Sequence, residues 1–119
     1  MKIHITLTFA LLFFIGSTVF AQQKIKAEDA KTHIGQKDTA TVVGKVFHIK
    51  TTDKATFIDI GGKYPDNPFS VYINANDIKA VGDITKYDGK TIEIRGLITG
   101  HNGKPEIVVS NAKQLKLAQ

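Results

Sequence analysis

The 119-residue chain carries 16 Lys and Arg against 11 Asp and Glu, a formal net charge of +5, and 42% apolar residues, which bounds it to one small globular domain with a mildly basic surface. With no cysteine it is neither a disulfide scaffold nor a thiolate zinc protein. The single arginine, Arg95, and the lack of any lysine run mean that this charge balance favours an anionic partner only slightly.

The chain begins with Met1-Lys2 and an apolar run over residues 5–15, broken only by Thr6 and Thr8. Small residues then lead to Val19-Phe20-Ala21. This is the pattern of a signal peptide over 1–21, cleaved after Ala21, and it predicts a bacterial periplasmic or secreted protein with no stable membrane insertion after cleavage. The apolar core is short for a membrane anchor. Residues 22–119 then form one domain, which must stand without disulfides where disulfides could form.

Residues 22–35 read as a short helix, with Glu28 and Asp29 early, Ala27, Ala30 and Ile34 on one stripe, and Gly35 as the stop. Residues 39–50 form the long first strand, rich in β-branched residues, with Gly44 at its centre. Strict alternation puts Val42, Gly44, Val46 and His48 on one face and Val43, Phe47 and Ile49 on the other. A strand with apolar residues on both faces and a central glycine can bend and serve two neighbours. Strand two spans 55–60, with Ile58 and Ile60 opposite Phe57 and Asp59. A loop with two glycines and two prolines follows, then strand three over 69–73, with Phe69, Val71 and Ile73 opposite Ser70 and Tyr72. Asn74 or Asn76 caps a short helix ended by Gly82. Strand four covers 91–99, strand five 106–110, and Leu115 and Leu117 make a last apolar pair. Helix, three strands, short helix and two strands predict an all-β chain with short helices: a five-stranded OB-fold Greek-key barrel preceded by a short N-terminal helix.

The succession A-x-x-A-x-x-x-I-G (27–35), TVVGKV (41–46), FIDIGGKYPDNPFSVYI (57–73), YDGKTIEIRGLI (87–98) and GKPEIVV (103–109) resembles small exported bacterial OB-fold proteins. These are grouped with the anticodon-binding-like nucleic-acid-binding domains and also occur near or fused to thermonuclease-type enzymes. The resemblance spans nearly all of 22–119, and its most specific stretch is 61–73. It implies a nucleic-acid-binding type, with an exported nuclease as a partner, but no activity. The exported stress-associated OB-fold family is similar in architecture; the paired aspartates that precede its first strand are missing here.

Ligands of OB-folds lie across strands two and three. A single strand of DNA or RNA needs aromatic platforms for its bases and cations for its phosphates. Phe57 and Tyr72 on those strands and Tyr64 in the loop supply the first. Lys50, Lys54, Lys63, Arg95, His101 and Lys104 supply the second. Asp59, beside Phe57, repels phosphate. Catalysis is not expected: Asp53, Asp59 and Asp66 form no cluster at ligand spacing, and Ser70 and Ser110 have no histidine–carboxylate arrangement around them. His33, His48 and His101 fall in different elements, so no metal or other cofactor is expected. The expected function is weak, low-specificity binding of single-stranded nucleic acid by a monomer. The alternative is an envelope protein- or peptide-interaction module with no nucleic-acid role.

Overall fold

A computed structural model describes residues 23–119; the expected leader 1–21 and its expected cleavage point after Ala21 lie outside the described residues. Eight strands form one sheet: β1 (Lys24–Lys26), β2 (Ala40–Thr51), β3 (Ala55–Ile60), β4 (Phe69–Asn74), β5 (Thr91–Gly96), β6 (Thr99–His101), β7 (Lys104–Val108) and β8 (Leu115–Leu117). Their order is β6-β7-β4-β3-β2-β5-β8, with β1 added parallel to β2. The sheet is thus an open path of seven strands with β1 beside it, where the sequence predicts a ring of five. Two of the additional strands come from dividing the predicted fourth strand at Gly96 into β5 and β6, and from the Leu115–Leu117 pair, which joins β5 as β8. The third, β1, is a three-residue edge strand with too few residues to show a period.

The 12-residue β2 is the hinge of the architecture. Ala40 to Lys45 pair with β5, and from Val46 onward the strand pairs with β3. The exchange of partners falls between Lys45 and Val46, one residue past Gly44. A Cβ at Gly44 would run into Ile60 Cγ2 and come within 3.0 Å of the Ala27 Cβ, so only glycine lets the preceding helix and β3 close on this point. A register shift between Val46 and His48 then leaves Phe47 bulged out, 43% exposed. The bulge reverses the alternation predicted for this strand. Ile49 turns inward opposite Ile58, and His48 turns outward opposite Asp59.

In β4 and β7 the period of two holds, while in β3 the outward-facing Asp59 and in β5 Glu93 are buried as well. Ile58, Ile60, Phe69, Val71, Ile73 and Ile107 are fully buried, whereas Phe57, Ser70, Tyr72, Glu106 and Val108 are not. Val42, Val46, Ile92, Ile94 and Val109 complete the core. Each such aliphatic side chain contributes about 1.5–3 kcal/mol by leaving water. The predicted N-terminal helix is a 3-10 helix, Ala27–His33, whose buried Ala27 and Ala30 lie three apart and therefore stack on one edge. Between β4 and β5, Asn74 caps the turn by accepting from the Asn76 N–H at 2.8 Å, ahead of the single helical turn Ile78–Val81. Among the described residues β5 and β7 share no ladder; the Gln114 amide spans them, donating to the carbonyls of Arg95 (2.9 Å) and Val108 (3.2 Å).

Candidate ligand cleft

Residues directly opposite one another in adjacent strands project to the same face. The outer face of the β2-β3-β4-β7-β6 half is therefore built in rungs. One rung runs Lys50, Phe57, Tyr72, Val108. The next runs His48, Asp59, Ser70, Glu106, Thr99. Beyond it lies the His101–Lys104 pair of the β6–β7 hairpin. That hairpin turns through Asn102 (φ 52°) and Gly103 (φ 80°), the left-handed pair that a two-residue turn requires.

Over this face lies a cleft of about 730 Å³. Phe57, Asp59 and Ser70 form its floor, His48 and Lys50 one side, and His101, Asn102, Lys104, Pro105 and Glu106 the other. Lys63, Tyr64, Pro65 and Asn67 of the β3–β4 loop close its end. The loop is held by buried Asn67, whose amide donates to the Phe69 carbonyl (3.0 Å) and to Ser70 Oγ (2.8 Å). The Lys104 ammonium ties it to the hairpin, donating to the Pro65 carbonyl and lying 5.5 Å from the centre of the Tyr64 ring. Tyr64 itself is 75% exposed, an aromatic face presented to solvent.

Of the nine residues predicted from the sequence, the cleft brings together Lys50, Phe57, Lys63, Tyr64, His101 and Lys104. Three lie elsewhere. Arg95 is on β5, opposite Thr41, in the other half of the sheet. Lys54 sits in the β2–β3 turn, where its N–H donates to Thr52 Oγ1, outside the cleft lining. Tyr72 also lies outside the lining; its ring meets Phe57 edge-on, with centroids 5.4 Å apart at 72°, so it buttresses the platform.

Sequence reasoning missed the polar rung as a unit. His48 reaches it only through the bulge, and Glu106 only through the parallel β4–β7 pairing, which joins strands far apart in the chain. His48 Nδ1 stands 3.6 Å from Asp59 Oδ2. Burial pushes the Glu106 carboxyl above its ordinary value, and His101 nearby offsets part of that shift. Among the described residues no three acidic, histidine or cysteine side chains are grouped to hold a metal ion. The cleft therefore offers aromatic faces, cations at the rim and two acceptors on the floor.

No sequence-family model matches the chain, and no curated protein matches it. Solved structures do. The asparaginyl-tRNA synthetase of Pyrococcus horikoshii is similar at a TM-score of 0.54 and 16% identity, over 83% of this chain and 24% of the synthetase. The same enzyme complexed with asparaginyl-adenylate is similar at 0.53 and 17%, over 82% of this chain and 22% of that one. The chain thus spans about a quarter of the synthetase's length. An OBody, AM1L10, bound to hen egg-white lysozyme is similar at 0.57 and 15%, over 87% of this chain and 98% of the OBody. At such identities the likeness is one of fold, and the fold is an OB-like, mostly β domain.

Proposed function

We propose that this chain is a binding module that holds single-stranded nucleic acid in the cleft, loosely and without chemistry on it. The observation that carries the reading is the convergence of Phe57 and Tyr64 with Lys50, Lys63, His101 and Lys104 around one concave face. Bases stack on aromatic faces while cations accompany the phosphates, and this combination suits any single strand. The likeness to part of a tRNA synthetase and the resemblance to anticodon-binding-like domains point the same way. We take residues 22–119 to be the exported domain. We also take β2, β3, β4, β5 and β7 as the five strands of its barrel, with β8 added to β5. An exported nuclease remains the partner that the resemblance suggests.

Fluorescence anisotropy with labelled oligothymidylate tests the reading. Binding in the micromolar range or weaker is expected at low salt, falling as salt rises because phosphate contacts release counterions. Phe57 lies outside the core, so Phe57→Ala should keep the fold and weaken binding by about 1–3 kcal/mol. Lys63→Ala should flatten the salt dependence. No binding at low salt would overturn the proposal.

That outcome favours the second reading, a protein- or peptide-interaction module of the envelope. Its specific support is β6, an edge strand that pairs only with β7 among the described residues and so offers a place for strand addition. The similar OBody is itself bound to a protein.

A further inference from the structure

We propose that Asp59 selects the base: the cleft takes a guanine lying against Phe57, whose N1–H and 2-amino group are received by the two oxygens of the Asp59 carboxylate. The inference rests on the nucleic-acid reading above and replaces its indifference to sequence with a preference.

The starting point is an unanswered charge. The Asp59 side chain is 10% exposed and forms part of the cleft floor. Among the described residues it makes no hydrogen bond and no ion pair to lysine or arginine. Its nearest cationic candidate, His48 Nδ1, stands at 3.6 Å, beyond hydrogen-bond reach. A buried carboxylate that accepts no hydrogen bond carries a desolvation cost, and the His48 imidazole at 3.6 Å is the one ion-pair candidate facing it among the described residues. A ligand bringing donors into the cleft would recover that cost, and one bringing a phosphate to this point would increase it.

The four bases differ in what they could bring. A carboxylate has two acceptor oxygens side by side and accepts best from two parallel donors. On the Watson–Crick edge only guanine has two adjacent donors, N1–H and the 2-amino group. Adenine and cytosine each place a ring acceptor beside one amino group, and uracil or thymine flanks a single N–H with two carbonyls. Against Asp59 those acceptors repel. The platform is correctly placed for such a base. Phe57 and Asp59 lie two residues apart on the same face of β3, about 7 Å along the strand, which leaves room for a base over the ring with its edge at the carboxylate. An arginine side chain carries a similar pair of donors. Lys50, Lys63 and Lys104 around the same cleft disfavour a cationic peptide and favour a ligand whose backbone is anionic.

The test is a titration of the full chain, at one fixed low salt, with a ten-residue oligothymidylate and with the same strand carrying one central guanosine, inosine or adenosine. Guanosine should tighten binding about tenfold, the size of one good two-point contact to a base edge. Inosine, which lacks only the 2-amino group, should lose most of that gain, and adenosine should show none. Inosine requires no change in the protein, so the result does not depend on whether a variant folds. Asp59→Asn should erase the guanosine gain while oligothymidylate binds equally or more tightly, because a like charge has left the path of the phosphates. Guanosine monophosphate as competitor separates the sources: competition comparable to the guanosine strand identifies the free nucleotide as sufficient, and weak competition identifies the strand. If all strands bind alike with the expected salt dependence, the assignment of Asp59 is wrong and the nucleic-acid reading stands. If no oligonucleotide binds, both are wrong. An arginine-containing peptide that binds in that case, and is lost on Asp59→Asn, would give the carboxylate to a protein partner.

Discussion

The two halves of the sheet each carry an acidic side chain that is almost covered on an outer face, and they treat it in opposite ways. On β5, Glu93 is 7% exposed at its side chain and accepts a hydrogen bond from Lys24 Nζ at 2.9 Å, with Lys116 Nζ at 3.8 Å. The hydrogen bond from Lys24 keeps the Glu93 carboxyl below its ordinary value, against the opposing effect of burial. On β3, Asp59 is covered to a similar degree and accepts no hydrogen bond among the described residues, with only a histidine facing it at 3.6 Å, and on β7 burial pushes the Glu106 carboxyl up. In the first half charge is arranged for the fold. In the second it is left open towards a cleft, and ligand sites tend to hold such groups at a cost in stability.

The contrast can be broken at its joint. Gly44 lies where β2 passes from one half to the other, and Gly44→Val would drive a side chain into Ile60 and Ala27. A loss of about 3 kcal/mol in denaturant unfolding is expected; a variant as stable as the parent would show that the halves do not meet there as described. A smaller effect separates the two carboxylates. Glu93→Gln should lower the thermal midpoint, since Lys24 loses its charged partner. Asp59→Asn should leave it unchanged or raise it, a gain of up to about 1 kcal/mol in stability, since no hydrogen bond is lost and a desolvated charge is removed. Equal losses in both variants would dissolve the distinction.

The smallest effect is in the dependence on pH. The depressed Glu93 carboxyl contributes stability that is present above the ordinary value of 4.5 and lost as pH falls through its lower folded value. The raised Glu106 carboxyl contributes stability that is present below 4.5 and lost as pH rises through its higher folded value. Glu106→Gln should therefore gain stability at neutral pH relative to the parent, and Glu93→Gln should flatten the acid side of the profile. Unfolding midpoints followed from about pH 3.5 to 7 check both signs.

The strands were legible in the sequence because their alternation is local. Residues 55–60 emerge with the predicted limits, and residues 69–73 extend by only one residue to Asn74. The Gly44 transition was legible because a glycine inside a β-branched run has few other uses. The cleft was legible only in part. Phe57, Tyr64 and Lys63 follow from the parity of β3 and the composition of its loop. Arg95 was misplaced because its position depends on which side of β2 receives β5, which alternation does not encode. His48 was assigned to the wrong face because one bulged residue, Phe47, inverts every side chain after it. The Ser70–Glu106 neighbourhood depends on a parallel contact between distant strands, which no local pattern announces.

The reach of β2 has a consequence for how the molecule opens. This strand belongs to three ladders at once, with β1, β5 and β3, and it is the one strand through which the two halves of the path are joined. Releasing either half means releasing β2. Partial opening is then confined to the ends of the path, the three-residue strands β6 and β8. Amide exchange should be slowest along β2 and grow faster towards those ends, and a ligand seated in the cleft should slow exchange in β5, which it does not touch. The pairing of β2 with β5 also joins residues some fifty positions apart, a non-local closure of the kind that slows folding.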